Sequence, residues 1–402
     1  MKLFRSTLSS SYKEIPCGEV RIGHSLNTKE EEFVAKRRET VFQSLQVLKI
    51  HCSKDEVPNI ALLGSGGGQR AMVGLLGSLD QLKKAGLLDC ILNLSGVSGS
   101  TWCMASLYQE PDWSTKLDPV IKKIIKRISG PKVSWGDAFA KLKKYYYGKD
   151  LFSLTDVWAV MVITTYVKEI DEHKLSEQWD QQSKDLFPIY TVIDKQCKQS
   201  KDDKDSWFEV SPHEAGYSLT GAFVGTSSFG SQFDNGSKKK PQDEMDMLYL
   251  QEKCYQVLMD LADMNLSVLN GKDPSHFDQS IRTNLKDKMV PAPLPESEMR
   301  DYIDAGLLLN SPYFSVLREE RHIELIISLD FSEGDPFMTV RDAAEMCKKL
   351  KIAFPEINIP SEEVKKPKDF YVFEGQNKTP TVIHIPLFNV VNCGGKFGLF
   401  IE

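Results

Sequence analysis

Gly96-Val97-Ser98-Gly99-Ser100 joins a mostly apolar run, Ile91–Leu94, to a stretch from Thr101 to Tyr108 that can coil as a helix. A serine set between small residues at such a turn reads as a nucleophile elbow, which lifts the hydroxyl clear of the backbone. The usual signature has Gly two residues after the serine; here the equally small Ser100 takes that place. Upstream, Gly64-Ser65-Gly66-Gly67-Gly68-Gln69-Arg70-Ala71-Met72 follows the short apolar run Asn59–Leu63. It precedes Val73–Leu88, where Leu75, Leu76, Leu79, Leu82 and Leu87 fall near helical spacing. Consecutive glycines between a strand and a helix leave N–H groups bare and aimed at one spot, which the helix N-terminus makes attractive to negative charge.

That spot suits either a nucleotide phosphate or the oxyanion of an acyl-transfer intermediate. A dinucleotide fingerprint fails when counted from Gly64, because Gln69 takes the last place; counted from Gly66 it ends on Ala71 and passes. No acid stands at the end of the next strand, Leu94-Ser95, to hold a ribose, and no Gly-Lys-Ser/Thr follows for a P-loop. The serine elbow in the adjacent strand–helix unit favours the oxyanion reading, since neighbouring turns of a parallel sheet share one sheet edge. A third element is Asp304, followed by Ala305-Gly306 and an apolar run, which suits a strand end close to other chain.

Taken together these segments resemble the catalytic domain of group IV cytosolic phospholipase A2. The resemblance rests on Leu63–Met72, Leu94–Cys103, Asp304–Tyr313 and Leu325–Ser332, with Phe208–Glu214 and Phe229–Phe233 adding to it, and it covers most of residues 15–392. It is strongest to the gamma type, which lacks a calcium-binding C2 domain. It implies an α/β, patatin-like fold: a central, mostly parallel sheet with helices on both sides and an inserted cap. It implies Ser98 as nucleophile, Asp304 as its partner in a dyad, Gly67 and Gly68 as oxyanion-hole amides, and Arg70 and Arg321 as arginines toward the substrate phosphate. The activity implied is calcium-independent hydrolysis of acyl esters of glycerophospholipids and lysophospholipids through an acyl-serine.

The chemistry is coherent. A serine hydroxyl needs a base to take its proton, and burial makes a carboxylate a better one. A guanidinium keeps its charge and matches a phosphate with paired donors. A Ser-Asp-His triad is the rival: among seven histidines, His384 follows Ser98 and Asp304 in α/β-hydrolase order. It sits in Thr381–Leu387, an apolar strand pattern where a packed histidine is the commoner case, so the dyad is the expectation. A truncated, weakly active or inactive lipid-binding relative is the other alternative.

The elements that hold these residues need a large core, and 402 residues at 41% apolar and 26% charged can supply one. Residues 1–27 read as a leader, 28–402 as the catalytic domain, and 207–299 as the cap or lid, with a hydrophilic span at Asp234–Glu244. Thr28–Leu48 reads as a charged amphipathic helix, and Val157–Val167 as a buried helix too short to cross a bilayer. Family members continue past the end of this chain, so a C-terminal part of the domain is expected to be missing, and no prenylation box closes the sequence. Eight scattered Cys without Cys-x-x-Cys fit free thiols, and no metal or other cofactor is expected. A net charge of −6 gives no pull toward nucleic acid. Local basic clusters at Lys122, Lys123, Lys126 and Arg127, at Lys238–Lys240, and at Lys141, Lys143, Lys144 and Lys149 around Tyr145–Tyr147 suit a peripheral membrane surface. The place expected is the cytoplasm and its membranes, with no obligate protein partner.

Overall fold

The computed structural model describes residues 20–148, 152, 154–177, 179, 183–195, 197, 206–234, 237–254 and 302–387. Its strands are β1 (Arg21–Ile22), β2 (Ile60–Gly64), β3 (Asn93–Gly96), β4 (Phe187–Asp194), β5 (Trp207–Val210), β6 (Glu214–Tyr217) and β7 (Ala222–Gly225). Then come β8 (Gln232–Asp234), β9 (Ser237–Lys240), β10 (Tyr302–Asp304), β11 (Leu325–Asp330), β12 (Tyr371–Phe373) and β13 (Thr381–Pro386). All but β8 and β9 join one sheet in the order β1-β7-β6-β5-β4-β3-β2-β11-β13-β12, with β10 paired to β4. The centre, β4-β3-β2-β11-β13, is parallel, and the flanks are antiparallel.

Strands β2 and β4 are buried along their whole length, which is why they read as mostly apolar runs. Along β2, Ile60 and Leu62 enter one core and Ala61 and Leu63 the other. The first core packs the sheet against helices α1 (Thr28–Val47), α2 (Gly68–Lys84) and α3 (Gly99–Tyr108), and it extends to α4 (Leu117–Ile128) and α5 (Trp135–Gly148). The second packs it against the helix Met338–Leu350 and the short helix Tyr313–Val316. Both faces of the sheet are therefore covered by helices, as expected. Helix α1 starts where the sequence indicated, with the Asn27 side chain accepting from the Lys29 N–H. The Val157–Val167 run is helical but irregular: α6 (Leu154–Trp158) passes through a π-helical turn, Ala159–Ile163, into α7 (Thr164–Val167).

Two boundaries move. Arg21–Ile22, in the expected leader, pairs with β7 at the sheet edge. The expected cap, 207–299, begins inside the sheet, because β5, β6 and β7 extend it from β4 in antiparallel register. β5 and β6 are buried and all three strands pair with their neighbours, so residues 207–225 belong to the body of the sheet. The hydrophilic span at Asp234–Glu244 contributes the small separate hairpin β8–β9. Residues 255–301 of the expected cap, Cys17, Cys393 and most of Asp194–Asp205 lie outside the described residues.

Candidate active site

Strand β3 ends at Gly96, paired with Tyr190 of β4. The chain then leaves the sheet, and Ser98 takes φ 50° and ψ −127° before α3 begins at Gly99. A positive φ is strained for a residue with a Cβ, and it persists here because the surroundings hold it. The Thr101 N–H donates to the Ser98 carbonyl at 2.9 Å, and the Ser100 hydroxyl donates to the Ser65 carbonyl at 2.6 Å. Every residue of α3 is buried, so the elbow rests on an immobile helix.

Strand β10 supplies the carboxylate. It runs antiparallel to β4 with Tyr302 opposite Asp194, Ile303 opposite Ile193 and Asp304 opposite Val192. Along β4 it pairs just beyond the stretch bound by β3, on the edge left open because β5 occupies the other one. The two strands thus approach end to end. Asp304 stands two residues of β4, roughly 7 Å, past the level of Gly96, and Ser98 is two residues past Gly96. Asp304 is buried, and one of its oxygens accepts from the Gly306 N–H at 2.8 Å. Nearby, burial pushes the Cys254 thiol well up, the Thr101 hydroxyl opposes that shift, and the Asp304 charge adds to it. Thr101 bonds to Ser98, so Asp304 and the elbow share this neighbour.

The glycine loop closes the third side. Gly67 has φ 144° and Gly68 φ 57°, the second a left-handed conformation that favours glycine. Among the described residues no carbonyl accepts from the N–H of Gly67 or Gly68, as befits the first turn of α2. A Cβ on Gly66 would lie 3.0 Å from the Ser98 Cβ, so the loop sits directly beside the serine. Arg70, half-buried one turn into α2, donates from Nε to the Phe331 carbonyl at 2.9 Å. Its Nη1 is 3.7 Å from the exposed Glu333 carboxylate, and its Nη2 would be 3.4 Å from a Cβ on Gly67. The guanidinium therefore lies over the glycine loop with Nη2 nearest to it.

Arg321 is the correction. It was expected to face a substrate phosphate, and it does not. It is buried, and its Nε, Nη1 and Nη2 donate to Glu30, Glu209 and the Ser315 carbonyl. Those five bonds use all five guanidinium N–H donors and leave none for a ligand. Arg318 binds the same Glu209 at 2.6 Å. Burial alone would push the Glu209 carboxyl up; Arg321 and Arg318 overcome this and hold it at about 2.

The triad alternative meets a geometric obstacle. His384 lies on β13, and β2 and β11 stand between that strand and β3. It is fully buried, with Nε2 2.7 Å from the Pro336 carbonyl and 3.9 Å from Asp330. Burial pushes its imidazole pKa down, against the opposing pull of Asp330.

Sequence reasoning missed Asn310. Its carbonyl accepts from the Gly66 N–H at 3.1 Å, and its side-chain amide donates to the Gly66 carbonyl at 3.3 Å and to the Ser332 hydroxyl at 2.6 Å. Its Oδ1 would be 2.8 Å from a Cβ on Gly306. One side chain thus ties the glycine loop to the turn that carries Asp304. Its place six residues after Asp304, just before Ser311-Pro312, was the signal available in the sequence.

Comparison with known proteins agrees with this architecture. Residues 60–251 match the model of the lysophospholipase catalytic domain family. Human cytosolic phospholipase A2 gamma is 30% identical over 94% of this chain and 87% of its own length. Mouse cytosolic phospholipase A2 zeta is 30% identical over 92% of this chain, which spans about half, 54%, of that relative. Among solved structures, human GIVD cytosolic phospholipase A2 superposes with a TM-score of 0.80 at 25% identity, covering 94% of this chain and 60% of that one. The same protein in complex with methyl gamma-linolenyl fluorophosphonate gives 0.74 at 25% identity, covering 92% of this chain and 55% of that one. With this identity and coverage, the chain belongs to the cytosolic phospholipase A2 family.

Proposed function

We propose that this chain hydrolyses the fatty acyl esters of glycerophospholipids, and of lysophospholipids, through an acyl-serine on Ser98. The observation that supports the reading is the end-to-end approach of β3 and β10 on β4, which brings the strained Ser98 turn and the buried Asp304 to the same stretch of that strand. The Ser98 hydroxyl oxygen attacks the acyl carbonyl carbon while its proton passes to the Asp304 carboxylate. The carbonyl oxygen becomes an oxyanion that accepts from the Gly67 and Gly68 N–H groups. Collapse breaks the ester C–O bond, and the departing alkoxide takes the proton held by Asp304, leaving the acyl-serine. Water then attacks that acyl group and gives its proton to Asp304. The second tetrahedral intermediate releases the fatty acid, and the proton returns to Ser98.

Arg70 lies over the same loop, where the phosphodiester borne on the same glycerol as the scissile ester can receive its remaining donors. No helix among the described residues is long and apolar enough to cross a membrane, and the reading places the enzyme on membranes as a peripheral, cytoplasmic visitor. The test is hydrolysis of mixed phospholipid vesicles by the wild-type chain and by Ser98→Ala, with products resolved by mass. The wild type releases fatty acid and lysophospholipid. Ser98→Ala, folded as judged by circular dichroism, releases neither. Equal release by the two proteins contradicts the proposal.

A further inference from the structure

Helix α5 is built backwards for a surface helix. Its buried side carries Ala138, Lys141 and Tyr145, while its outer side carries Trp135, Phe139, Tyr146 and Tyr147, exposed by 67%, 63%, 61% and 75%. Phe152 adds its ring 5.5 Å from that of Tyr146. Of the large exposed aromatic side chains among the described residues, all but Phe370 lie on or beside this helix. At about 100° per residue, Trp135, Phe139, Leu142 and Tyr146 fall within about 60° of arc, one stripe along the helix. Single exposed apolar side chains are ordinary; a contiguous stripe marks an interaction site.

Charge is sorted around the stripe. The carboxylates of Glu172 and Asp246 meet α5 on the side of Lys141 and Lys144, and both lysines are paired to them. Asp137, well round the helix from the stripe, accepts from the Ser134 hydroxyl at 2.6 Å. Lys143, next to the stripe, and Lys132, just before the helix, are exposed and have no carboxylate partner among the described residues. Aromatic rings with polar tips beside unpaired cations are the chemistry of a bilayer headgroup zone containing anionic lipid. A helix of another protein would be met better by aliphatic residues with paired charges at the rim.

The stripe is also tied to the catalytic elements. Lys141 and Tyr145 both bond to Asp246, which caps the helix Met247–Lys253. That helix accepts the Trp102 indole N–H of α3 on its Gln251 carbonyl at 3.2 Å. One rigid helix thus connects the outer face of α5 with the helix that begins at the serine elbow.

We infer that the outer face of α5, centred on Trp135, Phe139 and Tyr146 and flanked by Lys132 and Lys143, is the surface by which this chain docks on a bilayer bearing anionic phospholipid. The inference rests on the phospholipase reading for the identity of the lipid, and it adds where on the molecule the membrane is met.

The experiment is co-sedimentation of the full chain with phosphatidylcholine vesicles, with and without phosphatidylserine. Trp135→Gln/Phe139→Gln and, separately, Lys143→Glu are compared with wild type. Glutamine keeps helix propensity, and thermal unfolding and hydrolysis of a water-soluble aryl ester check the fold and the catalytic site. The double variant is expected to lose roughly tenfold or more in vesicle affinity, and Lys143→Glu to lose the gain that phosphatidylserine gives. Aryl ester hydrolysis stays at the wild-type rate in both. Undiminished vesicle binding by the double variant overturns the inference. So does a wild type whose self-association, measured by sedimentation, is abolished by the double variant while vesicle binding stays, since the stripe is then an interface between copies. A wild type that docks through α5 but hydrolyses no ester separates failure of the catalytic reading from failure of this one.

Discussion

Gly99 and Gly68 touch backbone to backbone: a Cβ on Gly99 would sit 1.8 Å from the Gly68 carbonyl oxygen. The elbow and the glycine loop therefore meet with no side chain between them, and that contact fixes the place of the Gly67 and Gly68 N–H groups proposed as oxyanion donors. Gly99→Ala must push the two apart, because the obstacle is backbone rather than a movable side-chain tip. Turnover should fall by about 10²-fold, the usual cost of a misplacement of about an ångström. Steady-state kinetics on a soluble ester check this, and an unchanged kcat in a folded Gly99→Ala protein contradicts it.

Arg70 and Arg321 should separate cleanly. Arg70→Ala removes donors that face the loop, so KM for a lysophospholipid should rise roughly tenfold or more while a phosphate-free aryl ester is unaffected. Arg321→Gln leaves Glu30 buried without its partner and Glu209 with Arg318 as its remaining guanidinium, and should cost about 3–5 kcal/mol of stability. Urea unfolding measures that cost. The folded Arg321→Gln fraction should keep the wild-type KM, and a KM change confined to phosphate-bearing substrates would return Arg321 to the substrate site.

The same cluster sets a pH dependence. Glu209 titrates at about 2 in the folded chain and near ~4.3 when unfolded. A depressed carboxyl contributes stability that is complete above the unfolded value and is lost as pH falls toward the folded one. Unfolding free energy should therefore drop between about pH 5 and pH 2. In Arg321→Gln, where the depression is smaller, the drop over that window should be shallower. Urea titrations across these pH values check the slope, and equal slopes contradict the assignment.

Asn310 positions rather than reacts. Asn310→Ala frees the glycine loop from the turn that carries Asp304, so kcat should fall about ten- to a hundredfold with little change in KM. Fluorophosphonate labelling should slow in parallel. A kcat at the wild-type level would reduce Asn310 to a packing residue.

The elbow, the glycine loop and Asp304 were legible in the sequence because each is local turn chemistry: small residues between an apolar run and a helix pattern. Arg321 was not, because its partners Glu30 and Glu209 lie 291 and 112 residues away in the chain. A charged run such as Arg318–Arg321 looks the same whether it meets water or buried carboxylates. The start of the cap was misplaced for a related reason. Short strands such as Trp207–Val210 read alike in an insertion and in a sheet extension, and the long-range pairing of β4 with β5 decides between them. The burial of β2 was legible, since a parallel strand covered on both faces shows a continuous apolar run.

The most direct test of the dyad is the rate at which a fluorophosphonate labels Ser98 in wild type, Asp304→Asn and His384→Asn, each shown to be folded. Asp304→Asn removes the proton acceptor at nearly constant shape, so labelling should slow by roughly 10²–10⁴-fold. His384→Asn, altered on a strand separated from β3 by β2 and β11, should label at the wild-type rate. An Asp304→Asn protein that labels normally, beside a His384→Asn protein that does not, would contradict the account and assign the base to the histidine.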